Sequence, residues 1–143
     1  MSVCVFCEIS NARVPASIVF EDANSMAFLD HRPLFPGHCL LIPRAHVETL
    51  ADISPELLAQ LSTRARLLAL AMEKALDAEG SFLALNNRVS QSVPHLHLHV
   101  VPRTKGDGLK GFFWPRKKYR DAAHMEEVRE RLAAVFSEIA AKR

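Results

Sequence analysis

Pro94-His95-Leu96-His97-Leu98-His99-Val100-Val101-Pro102-Arg103 alternates imidazole with aliphatic side chains, and strict alternation marks a half-buried β-strand. In a strand, residues i and i+2 point to one face, about 6.6–7 Å apart. The pattern sets His95, His97 and His99 in one row and turns Leu96, Leu98 and Val100 toward a hydrophobic core. Pro94 and Pro102 bracket the run, where a strand tolerates a missing N–H. Packing alone does not explain three imidazoles in register beside the polar pair Gln91-Ser92. Neutral imidazole is a nucleophile and a metal ligand near pH 7, and its protonated form binds anions. A phosphate or metal site is therefore expected. Spacing alone does not decide which imidazole would attack.

Outward from this run, residues 18–21 and 26–29 read as a hairpin turning at Asp22-Ala23-Asn24. Residues 33–37 form a loop with a Pro36-Gly37 turn, and the apolar run 38–43 reads as a central strand. Ser54 is an N-cap followed by Pro55 and Glu56 in the first helical turn. Leu57, Leu58, Leu61, Ala65, Leu68, Met72 and Ala75 then recur at helical spacing, and Gly80 suits a left-handed cap. A fourth strand is expected at 81–86, joined to the histidine strand through Asn87-Arg88-Val89-Ser90. Residues 104–120 are basic and irregular. A second helix is expected at 122–141, with Val128, Leu132, Val135, Phe136 and Ile139 on one face. Hairpin strands with segregated helices make an α+β domain.

The 143 residues suit one domain and one core. A formal net charge of +2 does not argue for nucleic-acid binding. No apolar run approaches the roughly 18 residues that span a bilayer. The N-terminus lacks the basic and apolar regions of a secretory signal, which points to the cytoplasm. Three cysteines, Cys4, Cys7 and Cys39, do not make a disulfide framework. Cys39 reads as a small buried hydrophobe.

The segment His95-Leu96-His97-Leu98-His99-Val100-Val101 resembles the motif of the histidine-triad (HIT) superfamily of nucleotidyl hydrolases and transferases. The likeness continues through Phe28-Leu29-Asp30, Pro36-Gly37-His38 and Ile42-Pro43-Arg44-Ala45-His46, so it spans the chain from Cys4 to about Trp114. It implies a single HIT domain over 1–143, with its core at about 4–114 and a basic segment and C-terminal helix at 115–143. The implied fold is α+β: about five antiparallel strands and two main helices, paired into a homodimer.

The resemblance also implies roles. His97 would attack the α-phosphorus to give a nucleotidyl-histidine, with His99 at the phosphate or moving protons, and Gln91 and Ser92 donating hydrogen bonds. Asp30 would accept the ribose hydroxyls, and Val5, Phe6, Ile9 and Phe28 would line the base pocket. Asn86 or Asn87 matches an asparagine near the phosphates. The short connection to Gln91 adds Arg88 as a phosphate ligand, a use its fixed fork suits. His31 stands where relatives often carry an aliphatic residue. Cys4, Cys7, His46 and His95 match a zinc site of some HIT branches. Two thiolates and two imidazoles suit tetrahedral Zn²⁺, and four protein ligands close its shell, making the ion structural.

For substrate, Pro102-Arg103 with Lys105-Gly106-Asp107 is similar to the branch that hydrolyses dinucleoside polyphosphates, diadenosine tetraphosphate among them. Trp114-Pro115 is similar to the branch acting on nucleoside phosphoramidates. Two further classes compete: a nucleotide- or partner-binding module with vestigial catalysis, and a metal-handling protein. Retention of His97 with Gln91 and Ser92 favours an enzyme. A metal-handling protein has no need of Asp30.

Overall fold

Strand β3 (Cys39–Pro43) is buried at every position, as a continuous apolar run requires of a strand covered on both faces. It is the middle strand of a sheet with β1 (Ile18–Glu21), β2 (Ser25–Leu29), β4 (Gly80–Ala84) and β5 (Leu98–Arg103). The order is β1-β2-β3-β5-β4, and every neighbouring pair is antiparallel. This computed structural model describes residues 3–110 and 116–142. The chain divides into two compact units, 1–107 and 108–143.

Alternation along β2 and β3 splits the core between the two sheet faces. Met26, Phe28, Leu40 and Ile42 pack with Phe6 and Ile9 of α1 (Val5–Ser10) on one face. Ala27, Cys39 and Leu41 pack on the other face against Leu61, Ala65, Leu68 and Met72 of α2 (Pro55–Leu76). The hairpin turn is built as expected, with Asp22 Oδ1 accepting from the N–H groups of Asn24 (2.9 Å) and Ser25 (2.8 Å).

All seven expected elements form, with several shifts. The histidine strand is shorter than its alternation suggests: β5 begins only at Leu98. The lead-in instead makes single bonds such as Leu96 N–H to Val47 O at 2.7 Å. Alternation survives without the ladder, because Leu96 and Val100 both enter the core beneath α2. Strand β4 ends at Ala84, which leaves Asn86 and Asn87 in the connecting loop.

The Ser54 hydroxyl caps α2 at 3.2 Å from Leu57 N–H. At the other end, the cap expected at Gly80 is made by Asp77 at φ 55°, a residue type that tolerates the left-handed region. Gly80 opens β4 instead. Ala75 of the expected apolar stripe is exposed.

Helix α1 has no counterpart among the sequence expectations. Six residues are too few for a helical period, and its stability comes from burying Phe6 and Ile9. In the second unit, α3 (Ala122–Ala141) matches the expected bounds, capped by Asp121 Oδ1 at 2.7 Å from His124 N–H. None of its residues is buried. Among the described residues no helix is long and apolar enough to cross a membrane.

Candidate active site and metal centre

The α1-side face of the sheet carries the polar site. Leu40 pairs with His99 across β3 and β5, and His38 lies two residues from Leu40 on the same face. Gly37 precedes it at φ 100°, a conformation glycine adopts without strain. Phe6 reaches down from α1 and sets its ring edge-on against His97, with centroids 5.1 Å apart.

A cavity of about 900 Å³ opens on this face. Its lining includes the apolar Val5, Phe6, Ile9 and Phe28 and the polar Asp30, Ser92, His97 and His99. These are eight of the twelve residues the sequence proposes for catalysis and nucleotide binding.

The other four lie in the neighbouring loop. Gln91 donates from Nε2 to Glu48 O (2.6 Å) and accepts the Arg88 N–H at Oε1 (2.8 Å). Asn87 Oδ1 accepts the Leu50 N–H at 2.7 Å. Arg88 sits at φ 68°. Asn86 is exposed just past β4, and none of the four lines the cavity. The compact connection between β4 and the histidine segment is closed by the bonds of Asn87, Gln91 and the Arg88 N–H.

Hydrogen-bond partners fix the tautomers of the neutral rings. His97 Nδ1 lies 2.8 Å from the His95 carbonyl; a carbonyl only accepts, so Nδ1 carries the proton and Nε2 keeps its lone pair. His38 Nδ1 accepts the Leu34 N–H at 3.0 Å, so its proton resides on Nε2. That nitrogen donates to His99 Nδ1 at 2.9 Å, which places the His99 proton on Nε2. Asp30 Oδ2 lies 3.7 Å from His38 Nε2, and Asp30 Oδ1 accepts the Arg32 N–H at 2.9 Å. Burial, with the charges of His97 and His38 behind it, pushes His99 down to about 4 against the pull of Asp30. Burial also lowers His38, with Asp30 again opposing.

Sequence reasoning quoted His38 within a motif but gave it no role. Its signal was the position itself, a histidine opening the strand that pairs with the triad. Asp30, His38 and His99 form one of the clusters able to hold a metal. His38 and His99 already satisfy each other, so the cluster reads as a hydrogen-bond chain. Arg103 of the basic stretch is paired with Asp107. Lys105 N–H bonds Glu79 at 2.9 Å, so the chain just after β5 is held in an ordered turn. Trp114-Pro115 lies outside the described residues.

On the far side of Phe6, Cys4, Cys7, His46 and His95 bring their ligand atoms within 4.8 Å of one another. His95 is fully buried and donates from Nε2 to the Pro43 carbonyl at 2.8 Å. Its Nδ1 lone pair faces Cys4 Sγ (3.3 Å) and Cys7 Sγ (3.5 Å). The fourth member, His46, sets Nδ1 3.3 Å from Cys7 Sγ. An imidazole with one nitrogen donating to a carbonyl and the other facing thiols has the outer-shell support of a metal ligand. The four donors fit a tetrahedral cation. Burial and the adjoining Cys4 push the Cys7 thiol up to about 11, so cation binding would release protons.

The HIT domain family model matches residues 11–106. The chain belongs to the HIT family. It is 37% identical over 119 residues to an uncharacterized HIT-like protein of Saccharolobus solfataricus, covering 81% of this chain and 86% of that one. Two relatives carry named activities. An adenylylsulfatase of Arabidopsis thaliana is 34% identical over 108 residues, 74% of this chain and 55% of that protein. An asymmetrical bis(5'-nucleosyl)-tetraphosphatase of Schizosaccharomyces pombe is 35% identical over 96 residues, 66% of this chain and 53% of that protein. The crystal structure of a Zn-bound histidine triad family protein from Mycobacterium smegmatis superposes with a TM-score of 0.72 at 36% identity, covering 94% and 96% of the two chains. The HIT fold expected from the sequence is the fold observed, with α1 added.

Proposed function

We propose that this HIT protein hydrolyses a nucleotide anhydride at the α-phosphorus through a nucleotidyl-His97 intermediate. Dinucleoside polyphosphates such as diadenosine tetraphosphate are the preferred substrates. The observation that carries this reading is the 2.8 Å contact of His97 Nδ1 with the His95 carbonyl, which leaves the lone pair on Nε2 of a ring lining the cavity.

In the first step a bond forms from His97 Nε2 to the α-phosphorus, and the bond to the bridging oxygen breaks. The departing phosphate keeps the electron pair. His97 becomes positively charged, and the His95 carbonyl steadies the Nδ1 proton. His99 offers Nε2–H to a phosphate or bridging oxygen. Water then attacks phosphorus, the bond from phosphorus to His97 Nε2 breaks with its electron pair returning to the nitrogen, and the water's proton passes to solvent. Asp30 accepts the ribose hydroxyls, the base lies among Val5, Phe6, Ile9 and Phe28, and Ser92 donates at the phosphate end. Gln91 acts through the loop that presents Ser92.

Zn²⁺ held by Cys4, Cys7, His46 and His95 would contribute no step. It would pin α1 to the His95 backbone, whose carbonyl holds His97. Reduced thiols of this kind agree with a cytoplasmic setting, and the functional unit in this reading is a homodimer.

The yeast tetraphosphatase supports polyphosphates, and the plant adenylylsulfatase shares the adenylyl half with a different leaving group. Nucleoside phosphoramidates are the runner-up. An alkaline quench of wild type with labelled diadenosine tetraphosphate is expected to trap label on His97. His97→Ala is expected to lose the adduct and about a thousandfold or more in turnover, while still binding nucleotide. Label on another residue, or unchanged turnover, overturns the mechanism. A higher kcat/KM for adenosine phosphoramidate than for any polyphosphate transfers the assignment to the runner-up.

A further inference from the structure

Cys4 stands just before α1 and Cys7 within it, and their two sulfurs share one partner. His95 Nδ1 lies 3.3 Å from Cys4 Sγ and 3.5 Å from Cys7 Sγ. The Cys4 sulfur also folds back over the first turn, to 3.4 Å from the Cys7 N–H. Both cysteines are free and half-buried, and His46 beside Cys7 is exposed, so solvent reaches the pair. The third cysteine is kept apart. Cys39 is 3% exposed and packs with the residues of α2, whereas Cys4 packs on the cluster of the α1 face. Among the three cysteines, only Cys4 and Cys7 stand where a bond between them can form.

We infer that Cys4 and Cys7 are the site of a reversible disulfide, made by a peroxide, that excludes the cation and loosens the α1 wall of the nucleotide cavity. This rests on the metal centre of the proposed function. One sulfur attacks hydrogen peroxide, the O–O bond breaks, and a sulfenic acid and one water result. The second sulfur then attacks the sulfenic sulfur, the S–S bond forms and a second water leaves. Two thiols are oxidised and one peroxide is reduced to two waters. Where a cation holds the sulfurs as thiolates, solvent supplies the two protons. A thiolate is the metal ligand and a disulfide sulfur is not, so the cation keeps only two imidazoles and departs.

The same bond acts on the cavity. At an S–S length of about 2.05 Å the sulfurs close on each other and away from His95 Nδ1. His95 is fully buried, and a buried acceptor stripped of its partners is costly. Val5, Phe6 and Ile9 line the cavity from this short helix, and the Phe6 ring packs on both His95 (5.9 Å between centroids) and His97 (5.1 Å). A helix of six residues has no stability of its own, so it does not hold that wall while the sulfurs re-aim.

The test loads the reduced full-length protein with zinc and titrates it with hydrogen peroxide. Zinc release is followed with a metal-sensitive dye, the Cys4–Cys7 peptide by mass, and AMP affinity by calorimetry. About one zinc per chain is expected to leave as the peptide loses about 2 Da, with the AMP dissociation constant rising several-fold. Dithiothreitol followed by zinc is expected to restore all three readings. Reduced protein stripped of zinc by a chelator is expected to keep its AMP affinity, which assigns the loss to the sulfur–sulfur bond. Zinc retained under peroxide, sulfinic acids in place of the disulfide, an unchanged AMP affinity, or an equal loss in the stripped protein overturns this inference alone. Reduced protein that takes up no zinc, or binds no AMP, sinks the corresponding part of the proposed function and this inference with it.

Discussion

His97 and His99, two residues apart on one segment, present opposite tautomers to the same cavity. His97 gives its Nδ1 proton to the His95 carbonyl at 2.8 Å, while His99 accepts at Nδ1 from His38 at 2.9 Å. One ring therefore offers a lone pair at Nε2 and its neighbour an N–H. A nucleophile and a hydrogen-bond donor are produced from the same residue type by the partners behind them.

The tautomers can be read by long-range ¹H–¹⁵N correlation at neutral pH. His97 is expected as the Nδ1–H form, and His38 and His99 as Nε2–H. His38→Asn is expected to remove the constraint on His99 and lower kcat by about tenfold to a hundredfold with KM little changed. An Nε2–H signal for His97 would contradict the assignment of the nucleophile.

Acid is expected to destabilise the fold through His99. Its folded value of about 4 lies below the ordinary 6.5. Between the two the unfolded chain binds more protons, so stability rises with pH across that window. The contribution is complete above about pH 6.5 and is lost as pH falls toward 4; His38, also lowered by burial, acts in the same direction. The measurement is Tm at about pH 7 and pH 5 for wild type and His99→Asn. A smaller drop in the variant is expected, and equal drops would assign the acid sensitivity elsewhere.

What was legible in the sequence follows from which interactions are periodic. The alternation of 94–103 identified the row of histidines and the buried partners Leu96 and Val100, although the ladder starts only at Leu98. The stripe of α2 and the unbroken run of β3 likewise announced themselves. Helix α1 escaped because six residues show no period and their support is tertiary, through Phe6 and Ile9. Gln91 and Asn87 look like ligands in a string of letters. In the fold, Gln91 Nε2 donates to the Glu48 carbonyl and Asn87 Oδ1 accepts the Leu50 N–H, partners 43 and 37 residues away. His38 was missed for the converse reason: its partner His99 is 61 residues away.

Metal removal tests the other side of Phe6. One zinc per chain is expected, and none in Cys4→Ser. A strong chelator is expected to lower Tm by on the order of 10 °C, because a closed four-ligand site contributes its binding energy to folding. Turnover well below that Tm is expected to survive. Immediate loss of turnover on chelation, with Tm unchanged, would mean that the ion acts at the chemistry.

Asp30 is held in place by its surroundings. Oδ1 accepts the Arg32 N–H at 2.9 Å and Oδ2 faces His38 at 3.7 Å, which orients the carboxylate in the wall of the cavity. A carboxylate is acceptor-only, so it suits a pair of hydroxyls. Asp30→Asn keeps the volume and the bond to Arg32 but weakens the acceptor. KM for a ribonucleotide substrate is expected to rise about tenfold, the worth of one good hydrogen bond to a charged group, with kcat changed less. A 2',3'-dideoxy analogue isolates the contact, since it has no hydroxyl to lose. Its KM is expected to be high in wild type and nearly unmoved by the substitution. Equal losses for both substrates would show that Asp30 works through His38 instead of the ribose.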